Sequence, residues 1–341
     1  MGPLVTPVVP AAVEAARGLV EPVLREAVAR LDPITARVAA YHLGWADASG
    51  RAASHGGKAL RPALAVLSAR AAGGDAAQGA VAGAAVELVH AFSLLHDDIM
   101  DGDRTRRHRP AAWTVFGEAE AILAGDALLA LAGEVLVERE GPGFVGAARA
   151  LGRATRGLIA GQGLDLAFER RDDVSLDECL EMSARKTGDL LACACSIGAT
   201  AVAGPAPLVS ALAAFGAEAG LAFQLADDLL GIWGSPEATG KPVLSDLRAR
   251  KKSLPVVAAL TGGAPAAVHL ARLFARPDPL SEEDLRTAAR LVEEAGGRDW
   301  AETEAKHRLD AAGRHLADAG MPADVRADFL DIVLFLTGRD R

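Results

Sequence analysis

Cysteine, tyrosine and methionine are scarce in this chain, with 3, 1 and 4 copies among 341 residues. Cys179, Cys193 and Cys195 form neither a disulfide framework nor a metal-ligand spacing, which points to a reducing, cytoplasmic setting and to packing roles. Aromatics make up only 4% of the residues, and no alternating β-branched runs occur, so a sheet-based architecture is excluded. Net positive charge is also missing: the formal balance of −9 argues against non-specific nucleic-acid binding. The first basic residue is Arg17 and no compact apolar block with a cleavage site follows, so no secretory signal is expected. Met1-Gly2 with Thr6 meets the letter of a myristoylation pattern, but Pro3 makes it a coincidence. The uncharged stretch from Leu190 to Ala217 is split by Gly204, Pro205 and Pro207, so it reads as two buried helices and not as an integral membrane segment.

Alanine-rich periodic segments predict an all-α chain: a Pro-rich mobile tail over residues 1–10 and one all-α domain over 11–341. Helices are expected over Ala11–Leu31, with a kink at Pro22, and after Pro33. Others follow over Ala76–Met100, Phe116–Glu138, Ala147–Phe168 and Leu208–Trp233, and from Pro255. Amphipathic helices over Ser281–Glu294, Trp300–Ala319 and Ala323–Leu336 carry no polar constellation and read as packing or an oligomer surface.

The stretch HDDIMDGDRTRRHRP, from His96 to Pro110, carries the chemistry. Asp97 and Asp101 stand one turn apart, about 6 Å along an apolar helix. Two stacked carboxylates at a greasy helix end repel unless a cation is shared, and all-oxygen ligands favour a hard ion such as Mg²⁺. The guanidinium groups that follow suit phosphate oxygens, so a diphosphate held through both charges is the functional reading. A solvated helix end is the bland reading of the same residues.

The second half of the chain shifts that balance. Asp227 and Asp228 end another apolar helix, where the dipole disfavours negative charge, and Lys241, Arg248, Arg250, Lys251 and Lys252 follow. Acid followed by base thus occurs twice, as expected for one cavity served by two helices. Lys58 and Arg61, in GGKALRP, form a cation pair on a first helical turn, usable for an anion or simply solvated. His90 lies within two turns of the first acidic pair. Gln162 and Asp165 in GQGLDL, and Lys186 and Thr187 in the polar interruption KTGD, are candidates that spacing alone does not select.

Together, GGKxxR, DDxxD with RR, GQxxDL, KT, FQxxDD and GK with a later Lys resemble the trans-isoprenyl diphosphate synthases, or polyprenyl synthetases, over about Gly56–Pro255. The resemblance implies an antiparallel helix bundle around a deep cavity, a homodimer, three Mg²⁺ ions, and two substrates: isopentenyl diphosphate and an allylic prenyl diphosphate. It would place two ions on Asp97 and Asp101 and the third on Asp227, with Asp228 beside it. Arg106, Lys186, Lys241 and Gln224 would grip the leaving diphosphate. Lys58, Arg61, His90 and Arg107 would hold isopentenyl diphosphate, and Thr187 and Lys251 would support the allylic side, with Lys252 as the alternative to Lys251.

Two positions depart from the family pattern. Gly231 stands where a third Asp is common, and His108 where Gly usually follows the paired arginines; activity is expected to survive the first. Phe92, five residues before Asp97, is by resemblance the floor that sets products near C20, with C15 or C25 as neighbours, whereas helical geometry alone nominates Ser93. A class I terpene cyclase, a silent regulatory subunit and a metal phosphohydrolase are the rivals. A cyclase's Asn/Asp, Ser/Thr, Glu triad is not found on a late helix, and a phosphohydrolase's further His ligands are not evident.

Overall fold

A computed structural model describes residues 9–53, 57–234 and 243–338. The expected tail therefore falls largely outside the described residues, as do Gly56 and Lys241. Helices α1 (Ala11–Val28), α2 (Pro33–His42), α3 (Leu60–Ala71) and α4 (Ala76–Met100) lead to a two-residue hairpin, β1 (Thr105–Arg106) and β2 (Arg109–Pro110). There follow α5 (Ala112–Phe116), α6 (Glu118–Val137), α7 (Pro142–Phe168), α8 (Leu176–Ser183), a π-turn (Ala184–Gly188), α9 (Asp189–Ala201) and α10 (Ala206–Trp233). The remaining helices are α11 (Ser245–Arg248), α12 (Leu254–Thr261), α13 (Pro265–Phe274), α14 (Glu282–Glu294), α15 (Gly297–Ala317) and α16 (Ala323–Thr337).

Local chemistry explains several starts. The Asp32 carboxylate accepts from the Ile34 and Thr35 amides ahead of α2, and Pro33 takes the first helical position, where no amide is needed. Ser175 with Glu178, and Ser281 with Asp284, close reciprocal capping boxes on α8 and α14. The expected helix over Phe116–Glu138 breaks at Gly117, whose φ of 107° ends α5 and begins α6.

The chain divides into two compact units. One lies within Met1–Thr155, Ala192–Ala213 and Leu316–Ile332, and the other within Arg156–Leu191, Ala214–His315 and Val333–Arg341. In the first, α4 packs against α3 and α6. In the second, Phe168, Cys179, Met182, Leu225, Leu254 and Val257 share a core cluster. By length and composition α4 and α10 could each cross a membrane, but 78% of the α4 window and 50% of the α10 window are buried in the protein, as in core helices.

The hairpin carries backbone strain. Arg107 and His108 form its two-residue turn with φ of 51° and 60°, both left-handed, where a side chain costs about 1–2 kcal/mol relative to Gly. The only tyrosine helps to hold this turn: Tyr41 Oη donates to the Pro110 carbonyl at 2.8 Å, and the Arg109 guanidinium lies 4.2 Å from the Tyr41 ring centroid. Arg109 also donates to the Ala46 carbonyl at 3.0 Å. His108→Gly is therefore expected to raise the melting temperature by roughly 2 °C, worth about 1 kcal/mol. A calorimetric scan showing no rise or a fall would mean that the turn is unstrained.

Candidate active site

In the first unit the site is built on α4. Asp97 is half-buried and Asp101 exposed on its last turn, where the Asp101 amide donates to the Asp97 carbonyl at 2.8 Å. Asp98, between them, is 1% exposed, and its Oδ1 accepts from Arg106 Nε at 2.6 Å. A helix turns 100° per residue, so neighbouring aspartates cannot share a face. Arg106 thus reaches the site already anchored, by a residue that the spacing argument passed over.

One helical turn or more upstream, His90 Nε2 lies 3.3 Å from Arg61 Nη1. Burial and the nearby Arg61, Arg107 and Arg106 guanidiniums hold the His90 imidazole well below its usual pKa, so it is neutral and can accept from Arg61. His42, at the end of α2, is pushed down to about 3 by burial and by Arg107, Arg106 and Arg109. Glu87 is raised by burial, against the pull of Arg107 and Arg61. The Arg107 guanidinium lies against Gly57, where any Cβ would collide with it, and Lys58 is the next residue, exposed. Arg61, His90 and Arg107 are therefore gathered in the first unit, with Lys58 next in the chain to the glycine that Arg107 touches, a setting rich in fixed positive charge and suited to a diphosphate.

Phe92 is buried, and its ring meets the His96 ring edge-on with centroids 4.9 Å apart. His96 Nε2 is 3.1 Å from the Ile122 carbonyl on α6, so His96 serves packing beside the acidic pair. Ser93 is also buried and turns its hydroxyl back to the His90 carbonyl.

The second unit gathers the other candidates. The π-turn carrying Lys186 and Thr187 is pressed against Gly161 of α7, where a Cβ would meet the Lys186 backbone, and against Gly220 of α10. A π-turn is uncommon and concentrates at functional sites. Lys186 Nζ pairs with Asp165 Oδ2 at 2.6 Å, Thr187 Oγ1 donates to Gln224 Oε1 at 2.6 Å, and Gln224 Nε2 donates to Asp228 Oδ1 at 2.7 Å. Asp227 is exposed, whereas Asp228 is 3% exposed and pushed up to about 7, burial outweighing the opposite pull of Lys251.

The two neighbouring lysines sit in different surroundings. Burial works against the Lys251 ammonium, but Asp228, Asp246, Asp165 and Asp227 raise its pKa and keep it charged. Lys252 lies 3.8 Å from the exposed Asp172 instead. Gly231 has a structural reason: the Asp246 carboxylate fills the space that a side chain at 231 would enter.

Among the described residues, no three His, Cys, Asp or Glu side chains form a group that could hold a metal alone. Exposed carboxylates beside fixed cations fit an ion whose remaining ligands come from a diphosphate and water, the usual habit of Mg²⁺.

The polyprenyl synthetase family model matches residues 45–292. The (2E,6E)-farnesyl diphosphate synthase of Mycobacterium tuberculosis is 46% identical over 328 residues, covering 95% of this chain and 91% of that one. The geranylgeranyl diphosphate synthase of the same organism is 44% identical over 319 residues, covering 93% and 91%. The crystal structure of a polyprenyl synthetase from Streptomyces coelicolor A3(2) superposes with a TM-score of 0.91 at 51% identity, covering 96% of this chain and 98% of that one. The relatives favour a synthase over a cyclase or a silent subunit. With the all-α isoprenoid synthase fold and these matches in hand, the chain belongs to the polyprenyl synthetase family and is a trans-prenyltransferase that makes short-chain prenyl diphosphates.

Proposed function

We propose that the enzyme condenses isopentenyl diphosphate head-to-tail with an allylic prenyl diphosphate, and that C20 is its favoured product, with C15 or C25 as neighbours. The observation that carries this reading is the pair of guanidiniums, Arg61 and Arg107, gathered around the neutral His90, a second anion site that a cyclase acting on one diphosphate would not need. Lys58, Arg61, His90 and Arg107 bind isopentenyl diphosphate. By the family resemblance, Asp97 and Asp101 would hold two Mg²⁺ ions and Asp227 a third, and the metal would supply charge neutralisation for a diphosphate. Asp228 is the fourth metal candidate that the sequence offers.

By the same resemblance, Arg106, Lys186 and Lys241 would grip the leaving group, with Gln224, Thr187 and Lys251 in support. Fixed cations of this kind stabilise the transition state more than the ground state, because charge builds on the diphosphate as the carbon–oxygen bond breaks. The double bond of isopentenyl diphosphate then attacks the allylic cation, and the proton lost goes to the released diphosphate. No protein nucleophile is needed, while apolar surroundings protect the cation from water.

Residues 11–341 are read as one catalytic domain in a cytoplasmic homodimer with no nucleic-acid partner. The exposed Ile122, Leu123 and Val137 of α6 supply an apolar face for a second copy. To test the function, isopentenyl diphosphate is supplied with C5, C10 and C15 primers and Mg²⁺, and the products are sized. Wild type should stop near C20 and Phe92→Ala should run at least one C5 unit further. A cyclic hydrocarbon formed without isopentenyl diphosphate would overturn the reaction, and an unchanged product from Phe92→Ala would remove Phe92 as the floor.

A further inference from the structure

Asp227 and Asp228 are neighbours on α10, yet one is exposed and the other is 3% exposed. Both oxygens of Asp228 are engaged: Oδ1 accepts from Gln224 Nε2 at 2.7 Å and Oδ2 accepts from the Leu254 amide at 2.8 Å. Gln224 in turn accepts from Thr187 Oγ1 at 2.6 Å. One carboxylate therefore links the π-turn, α10 and the start of α12.

The start of α12 shows why that link is needed. Ser253 occupies the capping position, a residue type that normally caps with its own hydroxyl, but it makes no side-chain cap bond. Pro255 has no amide to offer, and the Leu254 amide is satisfied by Asp228 from another helix. A carboxylate is the favoured partner there, since the helix dipole presents positive charge. A hydrated Mg²⁺, by contrast, needs open octahedral space, which a buried carboxylate with two amide donors does not provide.

We propose that Asp228 is a positioning residue, not a metal ligand: it ties the turn bearing Lys186 and Thr187 to the start of α12, three residues after Lys251. The kinetic part of this inference rests on the prenyl-transfer reading. The bonding part does not.

Three variants separate the roles. In Asp228→Asn the carboxamide oxygen still accepts from Leu254, and its NH₂ donates to Gln224 once that amide turns over, so the network survives without the charge. Its Mg²⁺ half-saturation should stay within roughly twofold of wild type, because a bond network retained in full costs little. Asp228→Ala strands the Leu254 amide and the Gln224 side chain. The KM for the allylic substrate and the exchange rate of the Leu254 amide should then rise roughly 10- to 100-fold, the equivalent of 1–3 kcal/mol, with Mg²⁺ half-saturation unchanged. Asp227→Asn is the metal control and should raise the Mg²⁺ requirement while leaving Leu254 exchange unchanged. The proposal is overturned if Asp228→Asn raises the Mg²⁺ requirement as Asp227→Asn does, or if Leu254 exchange in Asp228→Ala matches wild type. Should wild type itself transfer no prenyl group, the functional reading fails, and the exchange comparison between the Ala and Asn variants still decides whether Asp228 is the clamp.

Discussion

Asp97→Asn lowers the rate of prenyl transfer on the order of 10³-fold, the scale on which one electrostatic stabiliser of a transition state is lost, and Asp227→Asn does the same. Neither change should lower the melting temperature, because Asp227 is exposed, Asp97 is only half-buried, and each lies near the carboxyl end of its helix, where negative charge is unfavourable. Asp98→Ala behaves in the opposite sense. It leaves Arg106 without its buried partner, and stability falls by about 3 kcal/mol before any effect on chemistry is considered. Initial rates across a Mg²⁺ series, paired with calorimetry on the same three proteins, separate the classes. A loss of less than tenfold in Asp97→Asn would remove Asp97 from the metal-holding role.

Gly231→Asp is expected to harm the enzyme even though it restores the residue common in the family. The new carboxylate would enter space already filled by Asp246, so overpacking and like charge act together. A cost of roughly 2–3 kcal/mol follows, read as a melting temperature lower by about 5 °C, with no gain in Mg²⁺ affinity. Gly231→Asp combined with Asp246→Gly moves the carboxylate across the same gap and should recover most of the lost stability, a non-additivity that a double-mutant cycle measures. If the single Gly231→Asp protein bound Mg²⁺ more tightly at unchanged stability, the crowding account would be wrong.

Much of the helical framework was legible. The expected spans Ala76–Met100 and Ser281–Glu294 match α4 at both ends and α14 to within one residue. The missed boundaries have tertiary causes. α7 begins at Pro142 and not near Ala147, in a stretch where Gly143 lies against the Ala201 carbonyl. KTGD read as a polar interruption, but the π-turn there depends on close approach by Gly161 and Gly220, which no local pattern announces.

The site was legible by residue type and less so by task. Each acidic motif could be found in the sequence, but not which of its adjacent aspartates faces inward. In Asp97-Asp98 and in Asp227-Asp228 the second aspartate is the buried one: Asp98 holds Arg106, and Asp228 holds Gln224 and Leu254. A rotation of 100° per residue separates the two roles once the core side of the helix is known. Nothing local in GQGLDL selects Asp165, and its ion pair with Lys186 supplies the reason.

The three cysteines carry one last consequence. Cys179 and Cys195 are wholly covered, Cys193 is 6% exposed, and burial raises the Cys179 and Cys195 thiols far above the range in which thiolate forms. Cys179 belongs to one unit, while Cys193 and Cys195 belong to the other. Since thiolate is the reactive species, an alkylating reagent meets these sulfurs only after the surrounding helices part, so the chain carries a separate chemical gauge of opening in each half.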